Sequence, residues 1–176
     1  MIILTHEILI NEGIKETFKR FDVVMIYLVI DRYLKNEDNP FELYGKLQHL
    51  RNSKNFEKKS EWELNLSHGI DCIKQYIKLF SGEKKSVNLV RMDRIDYTTL
   101  DNSHIELAPN LRLTNGSHRL ATATYFKIDL MDIILGPEPV PEGFGFQLNW
   151  LQKYFTKEEQ EQVFGAIERI KKDYGF

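Results

Sequence analysis

The chain has 176 residues, 42% of them hydrophobic and 28% charged, and carries a net charge of −2. Those values suit one compact domain with a real core, and they exclude a globally basic nucleic-acid binder. The single cysteine, Cys72, excludes an intrachain disulfide and suits a reducing compartment. The apolar start Met1–Leu4 is soon interrupted by His6, Glu7, Asn11 and Glu12, and the run Val23–Ile30 is too short to span a bilayer. No leader or membrane anchor is expected, and a cytoplasmic protein is.

Asn11 to Lys35 reads as one long helix. Ile14, Phe18, Phe21, Met25, Leu28 and Val29 keep helical spacing, and core packing is the expectation for its aromatics. Asn36-Glu37-Asp38-Asn39-Pro40 ends it with turn chemistry. Phe41, Leu43, Tyr44, Leu47 and Leu50 form one face of a second helix. Polar Asn52 to Lys59 is a loop, and a third helix covers about Glu61 to Phe80, with Cys72 expected in or near its inner face. Ser81-Gly82-Glu83-Lys84-Lys85 stops that helix.

The β-rich part begins at Ser86. Alternation predicts a strand over Ser86–Met92, a second over His104–Leu107, a turn at Ala108-Pro109-Asn110, and a hairpin partner over Leu111–Thr114. A further strand is expected over Ile128–Leu135, closed by Gly136-Pro137-Glu138-Pro139. The Pro- and Gly-rich stretch Val140 to Phe146 is either an aromatic lid or a connecting loop over the core. Thr156 caps a final helix, with Glu158 and Glu159 in its first turn and Lys171 and Lys172 near its end, an order that matches the helix dipole. The expected class is α+β, within one domain. Residues 1–85 form a helical part, 86–136 a small mixed sheet carrying a loop, and 137–176 an aromatic loop and C-terminal helix.

The chemistry concentrates in Leu111 to Tyr125, L-R-L-T-N-G-S-H-R-L-A-T-A-T-Y. Asn115-Gly116 is a turn signal. From Ser117, a good N-cap residue, the period becomes helical, with Leu120, Ala121, Thr124 and Tyr125 on one face. A helix N-terminus offers unpaired N–H groups and a favourable dipole to an anion. Arg119, expected on the outer part of the first turn, could grip a phosphate with two hydrogen bonds, and His118 could donate one or carry a proton. An ordinary capped helix with a solvated His and Arg fits the same short string. The five histidines show no metal-ligand spacing, and no phosphate loop of the G-x-x-x-x-G-K-[ST] type occurs.

The run N-G-S-H-R-L-A-x-A-x-Y resembles the phosphate loop of the sulfiredoxin and ParB-like superfamily, strongly over Leu111–Tyr125 and weakly from Val87 to Leu135. The resemblance implies a ParB/sulfiredoxin-like sheet and nucleotide-phosphate contacts from Asn115, Gly116, Ser117, His118 and Arg119. Sulfiredoxins place a Cys directly after the Gly, where this chain has Ser117. ParB proteins continue into a helix-turn-helix, for which the residues after the loop helix show no pattern. The expectation is therefore a small-molecule kinase that binds ATP or ADP, with CTP as a further candidate, together with Mg²⁺, and that acts on a small hydroxylated acceptor. His118, Asp96 and Asp93 are the candidate catalytic groups, with Asp101 nearby; solvated loop acids are the competing reading. No metal-ligand set is assigned. The alternatives are a non-catalytic nucleotide-binding switch that meets a protein partner through its helical half, and, third, a ParB-like DNA-binding protein. Neither a membrane nor nucleic acid is expected as a partner.

Overall fold

The computed structural model describes residues 2–16, 18–52, 59–83, 87–90, 97–100, 104–110, 112–140 and 148–176. In chain order the elements are β1 (Ile2–Leu4), α1 (Thr5–Asn11), α2 (Phe21–Leu34), α3 (Glu42–Asn52), α4 (Lys59–Phe80), β2 (Val87–Val90), β3 (Tyr97–Leu100), β4 (His104–Leu107), β5 (Leu113–Asn115), α5 (Ser117–Tyr125), β6 (Leu130–Leu135), α6 (Leu148–Tyr154) and α7 (Lys157–Tyr174). The mixed helix and strand content is that of an α+β protein. Asp93, Asp96, Asp101 and the stretch 141–147 lie outside the described residues.

One sheet runs in the order β1-β6-β4-β5, and β2 and β3 form a separate antiparallel pair. Within the larger sheet, β1 pairs antiparallel with β6, β6 parallel with β4, and β4 antiparallel with β5. The parallel β4–β6 pair requires a crossover, and α5 supplies it. The larger sheet draws on both sides of residue 85. Strand β1 comes from the helical part, and Thr5 N–H continues the join by donating to the Asp129 carbonyl at 2.8 Å.

The expected long helix over Asn11–Lys35 is shorter: α1 ends at Asn11, and α2 begins only at Phe21. The carboxylate of Glu12, fully buried at the end of α1, accepts the Leu113 backbone N–H at 2.6 Å and meets Arg112 at 3.5 Å. Gly13 turns with φ of 82°, and Arg20 is drawn toward the sheet. The helical spacing of Ile14 and Phe18 nonetheless reports their burial correctly. Helix α2 is apolar on nearly every side, from Phe21 through Ile30, and such a helix must be enclosed. It packs against α3, α4, α5 and α7. The positive φ of Asn36 and Asn39 fulfils the turn predicted after it.

Helix α5 packs between α2 and α4, so its first turn faces helices rather than open solvent. Helix α7 begins with the expected Thr156 cap: Thr156 Oγ1 accepts from Glu159 N–H at 3.2 Å, and Glu159 accepts from Thr156 N–H at 2.8 Å. Among the described residues, no helix is long and apolar enough to cross a membrane.

Candidate functional site

Strand β5 ends at Asn115, and Gly116 makes the turn into α5 with φ of 106°. That left-handed conformation disfavours any residue with a Cβ. Space forbids one as well, because a Cβ here would lie 2.8 Å from Ile105 Cγ2 on β4. The glycine is therefore the N-cap residue, and Ser117 is the first residue of the helix. This corrects the expected Ser117 cap. The Ser117 hydroxyl is occupied elsewhere.

Ser117 Oγ donates to Asp22 Oδ2 at 2.8 Å and accepts from Arg20 Nη2 at 2.7 Å. Arg20 also grips Asp22 with two bonds, Nε to Oδ1 at 2.9 Å and Nη2 to Oδ2 at 2.7 Å, and its Nη1 donates to the Leu113 carbonyl at 2.7 Å. All three side chains are buried. Burial by itself would raise the Asp22 pKa. The Arg20 guanidinium overrides it, and the carboxyl is brought down to about 2. This knot joins the start of α2, the start of β5 and the first turn of α5.

His118, half-buried, meets α3: its Nε2 lies 2.7 Å from the Tyr44 hydroxyl. Burial, reinforced by the charge of Arg51, lowers its pKa to about 4, so the imidazole is neutral at pH 7. Arg119 meets α4. Its Nε donates to the Tyr76 hydroxyl at 2.5 Å, and its guanidinium carbon lies 5.6 Å from the centroid of the Tyr76 ring. Arg119 is 9% exposed, against the expectation of an outward side chain. The spacing puts Leu120, Ala121, Thr124 and Tyr125 on one face, but α4 encloses the other side too. Cys72 lies on the same helix, with Sγ 3.5 Å from His68 Nε2, and burial pushes its thiol up to about 11.

Three consecutive residues thus reach three different helices: Ser117 to α2, His118 to α3 and Arg119 to α4. The positive charge around them is concentrated. Arg20 and Arg119 are bonded at the turn, and the field of Arg51 acts on Asp22, Tyr44 and His118. Asp22 is the carboxylate bonded there. Asn115, also expected at the phosphates, is exposed at the end of β5.

Sequence reasoning missed Arg20, Asp22, Arg51, Tyr44 and Tyr76. An Arg-x-Asp string opening an all-apolar helix was the available signal for the first two. Tyr44 was visible only as one position on an apolar face, and nothing marked its hydroxyl. Among the described residues, no group of His, Cys, Asp and Glu is placed to hold a metal ion. Comparison with protein-family models, curated proteins and solved structures yields no match to this chain.

Proposed function

We propose that the chain is a nucleotide-dependent phosphotransferase that takes nucleotide phosphates, with Mg²⁺, at the N-terminus of α5. The observation that carries this reading is the gathering of Arg20, Arg51 and Arg119 at a helix start opened by Gly116, where Arg20 is bonded to Asp22 and the charges of Arg51 and Arg119 act on His118. A helix N-terminus favours an anion, and guanidinium groups hold phosphate oxygens in pairs. Asn115 flanks the turn, and the N–H groups of Gly116 to Arg119 are the backbone donors. Arg119, held on Tyr76 through Nε, supplies its guanidinium charge beside the turn. In the proposed step a hydroxyl oxygen of the acceptor attacks the terminal phosphorus, the bridging P–O bond to the nucleotide breaks, and the acceptor proton passes to a carboxylate. Asp96 and Asp93 are the candidates from the sequence for that carboxylate. The low pKa of His118 fits a neutral hydrogen-bond donor better than a base.

A second reading, a nucleotide-binding switch without catalysis, is favoured by the three contacts that radiate from the turn, since an anion there would act on α2, α3 and α4 at once. Acceptor-dependent consumption of ATP separates the two readings. For binding itself, calorimetric titration with ATP, ADP and CTP in Mg²⁺ is the test. Wild type should bind at least one of them, and Arg119→Ala should weaken it by at least about tenfold, about 1.4 kcal/mol. Failure of wild type to bind any of the three removes the proposal.

A further inference from the structure

Tyr44 is only 1% exposed, and its hydroxyl reaches across to His118 on α5. The room for that reach is specific. A Cβ at Gly69, midway along α4, would lie 1.9 Å from the Tyr44 hydroxyl oxygen and 2.8 Å from Cζ. The absence of a side chain at Gly69 is therefore what lets the phenol pass between α3 and α4. The two rings also meet edge to face, with centroids 5.5 Å apart.

The direction of the hydrogen bond follows from the acidities of the two groups in contact at 2.7 Å. A phenol O–H is a stronger acid than the N–H of a neutral imidazole, and the unprotonated ring nitrogen is a stronger base than a phenol oxygen, so the phenolic proton is the one placed between Tyr44 and Nε2. A neutral imidazole that accepts at one nitrogen carries its proton on the other.

We infer that Tyr44 is a positioning residue that fixes His118 in the Nδ1–H form, so that His118 serves the phosphate site as a hydrogen-bond donor and not as a proton acceptor. This rests on the proposed phosphate site for its ligand, but the tautomer is a property of the free protein. The charged and titratable groups that face His118 come from each surrounding helix: Arg51 on α3, Asp22 on α2, His68 on α4 and Arg119 on α5. Three of those four lower its proton affinity, and Asp22 opposes them.

The experiment is long-range proton–nitrogen NMR of the ring of His118, in the full chain, across pH 4 to 8. The expected result is a single Nδ1–H tautomer that does not titrate between pH 6 and 8. Tyr44→Phe keeps the ring and removes the donor; it should yield a tautomer mixture and an upward move of the titration midpoint. Gly69→Ala, which leaves the hydroxyl in place chemically but displaces it, should shift the tautomer in the same direction. A wild-type Nε2–H tautomer, or no change in either variant, overturns the assignment. Addition of ATP with Mg²⁺, and separately of inorganic pyrophosphate, should then move the Nδ1–H resonance. Tyr44→Phe should weaken ATP binding by at least about threefold, the scale of one hydrogen bond. If wild type binds ATP and the Nδ1–H resonance stays still, the donor role is wrong. If wild type binds neither probe, the phosphate site is wrong, and the measured tautomer reports on Tyr44 alone.

Discussion

At the scale of single residues, the first turn of α5 is a set of buried polar bonds, and their loss is costly because each leaves a partner behind. Ser117→Ala removes one donor and one acceptor from the Arg20–Asp22 pair and should cost about 1–3 kcal/mol. Asp22→Asn should cost more, about 3–5 kcal/mol, since it leaves the Arg20 guanidinium buried without its counter-charge. Denaturant titration of the two variants checks both size and order. Equal, small losses would mean that water or other groups already satisfy these atoms. Gly116→Ala combines a disfavoured φ with the Ile105 contact and should destabilise by about 1–3 kcal/mol. Arg119 belongs here as well. Its burial against Tyr76 means that Arg119→Ala should lower the melting temperature in addition to weakening an anion, contrary to what an outward side chain would give.

At the scale of elements, Gly69 offers a test in which two effects oppose. Replacing a mid-helix glycine by alanine ordinarily stabilises a helix by about 1 kcal/mol. Here the added methyl must displace the buried Tyr44 ring, so Gly69→Ala should lower the melting temperature instead. A rise would show that α3 and α4 separate easily, and the bracing of His118 would fall with it. Much of the element plan was legible in the sequence. The strand His104–Leu107, the turn at Gly116, the helix from Ser117 and the Thr156 cap all appear where local chemistry put them. Those signals are local, carried by glycine φ, alternation and capping. The break between Asn11 and Phe21 was not legible, because helical spacing continues through Ile14 and Phe18 while the cause is distant: Glu12 and Arg20 bond to the backbone N–H and carbonyl of Leu113, the first residue of β5. Strand β1 was read only as an apolar start, since a three-residue strand has too short a pattern to register. The same limit applies to the site. Gly116, Ser117, His118 and Arg119 could be picked out as a group, but their partners on α2, α3 and α4 come from remote segments that no spacing rule connects.

At the scale of the whole molecule, the buried groups at this junction set a direction for acid stability. Asp22 is held near 2, below the ordinary carboxyl value of 3.8, so its contribution is present above about pH 4 and is lost as pH falls through 2. His118 is held near 4, below the ordinary 6.5. Below pH 6.5 the unfolded chain takes up that proton before the folded one does, so stability falls as pH drops from 6.5 toward 4. Urea midpoints should therefore decline in both windows. His118→Gln should flatten the slope between pH 4 and 6.5 relative to wild type, and an unchanged slope would show that His118 titrates normally in the fold.

The sheet brings β5 to α5, and three helices close around the first turn, so a phosphate held there must be felt first by the backbone of that turn. The most direct measurement is a titration of ATP with Mg²⁺ followed by amide proton–nitrogen NMR on the full chain. The account predicts that the largest shifts fall on the amides of Gly116, Ser117, His118 and Arg119, saturating together, with smaller changes at Tyr44 and Tyr76. Shifts centred on another part of the chain, or none at ATP concentrations that would fill a millimolar site, would contradict it.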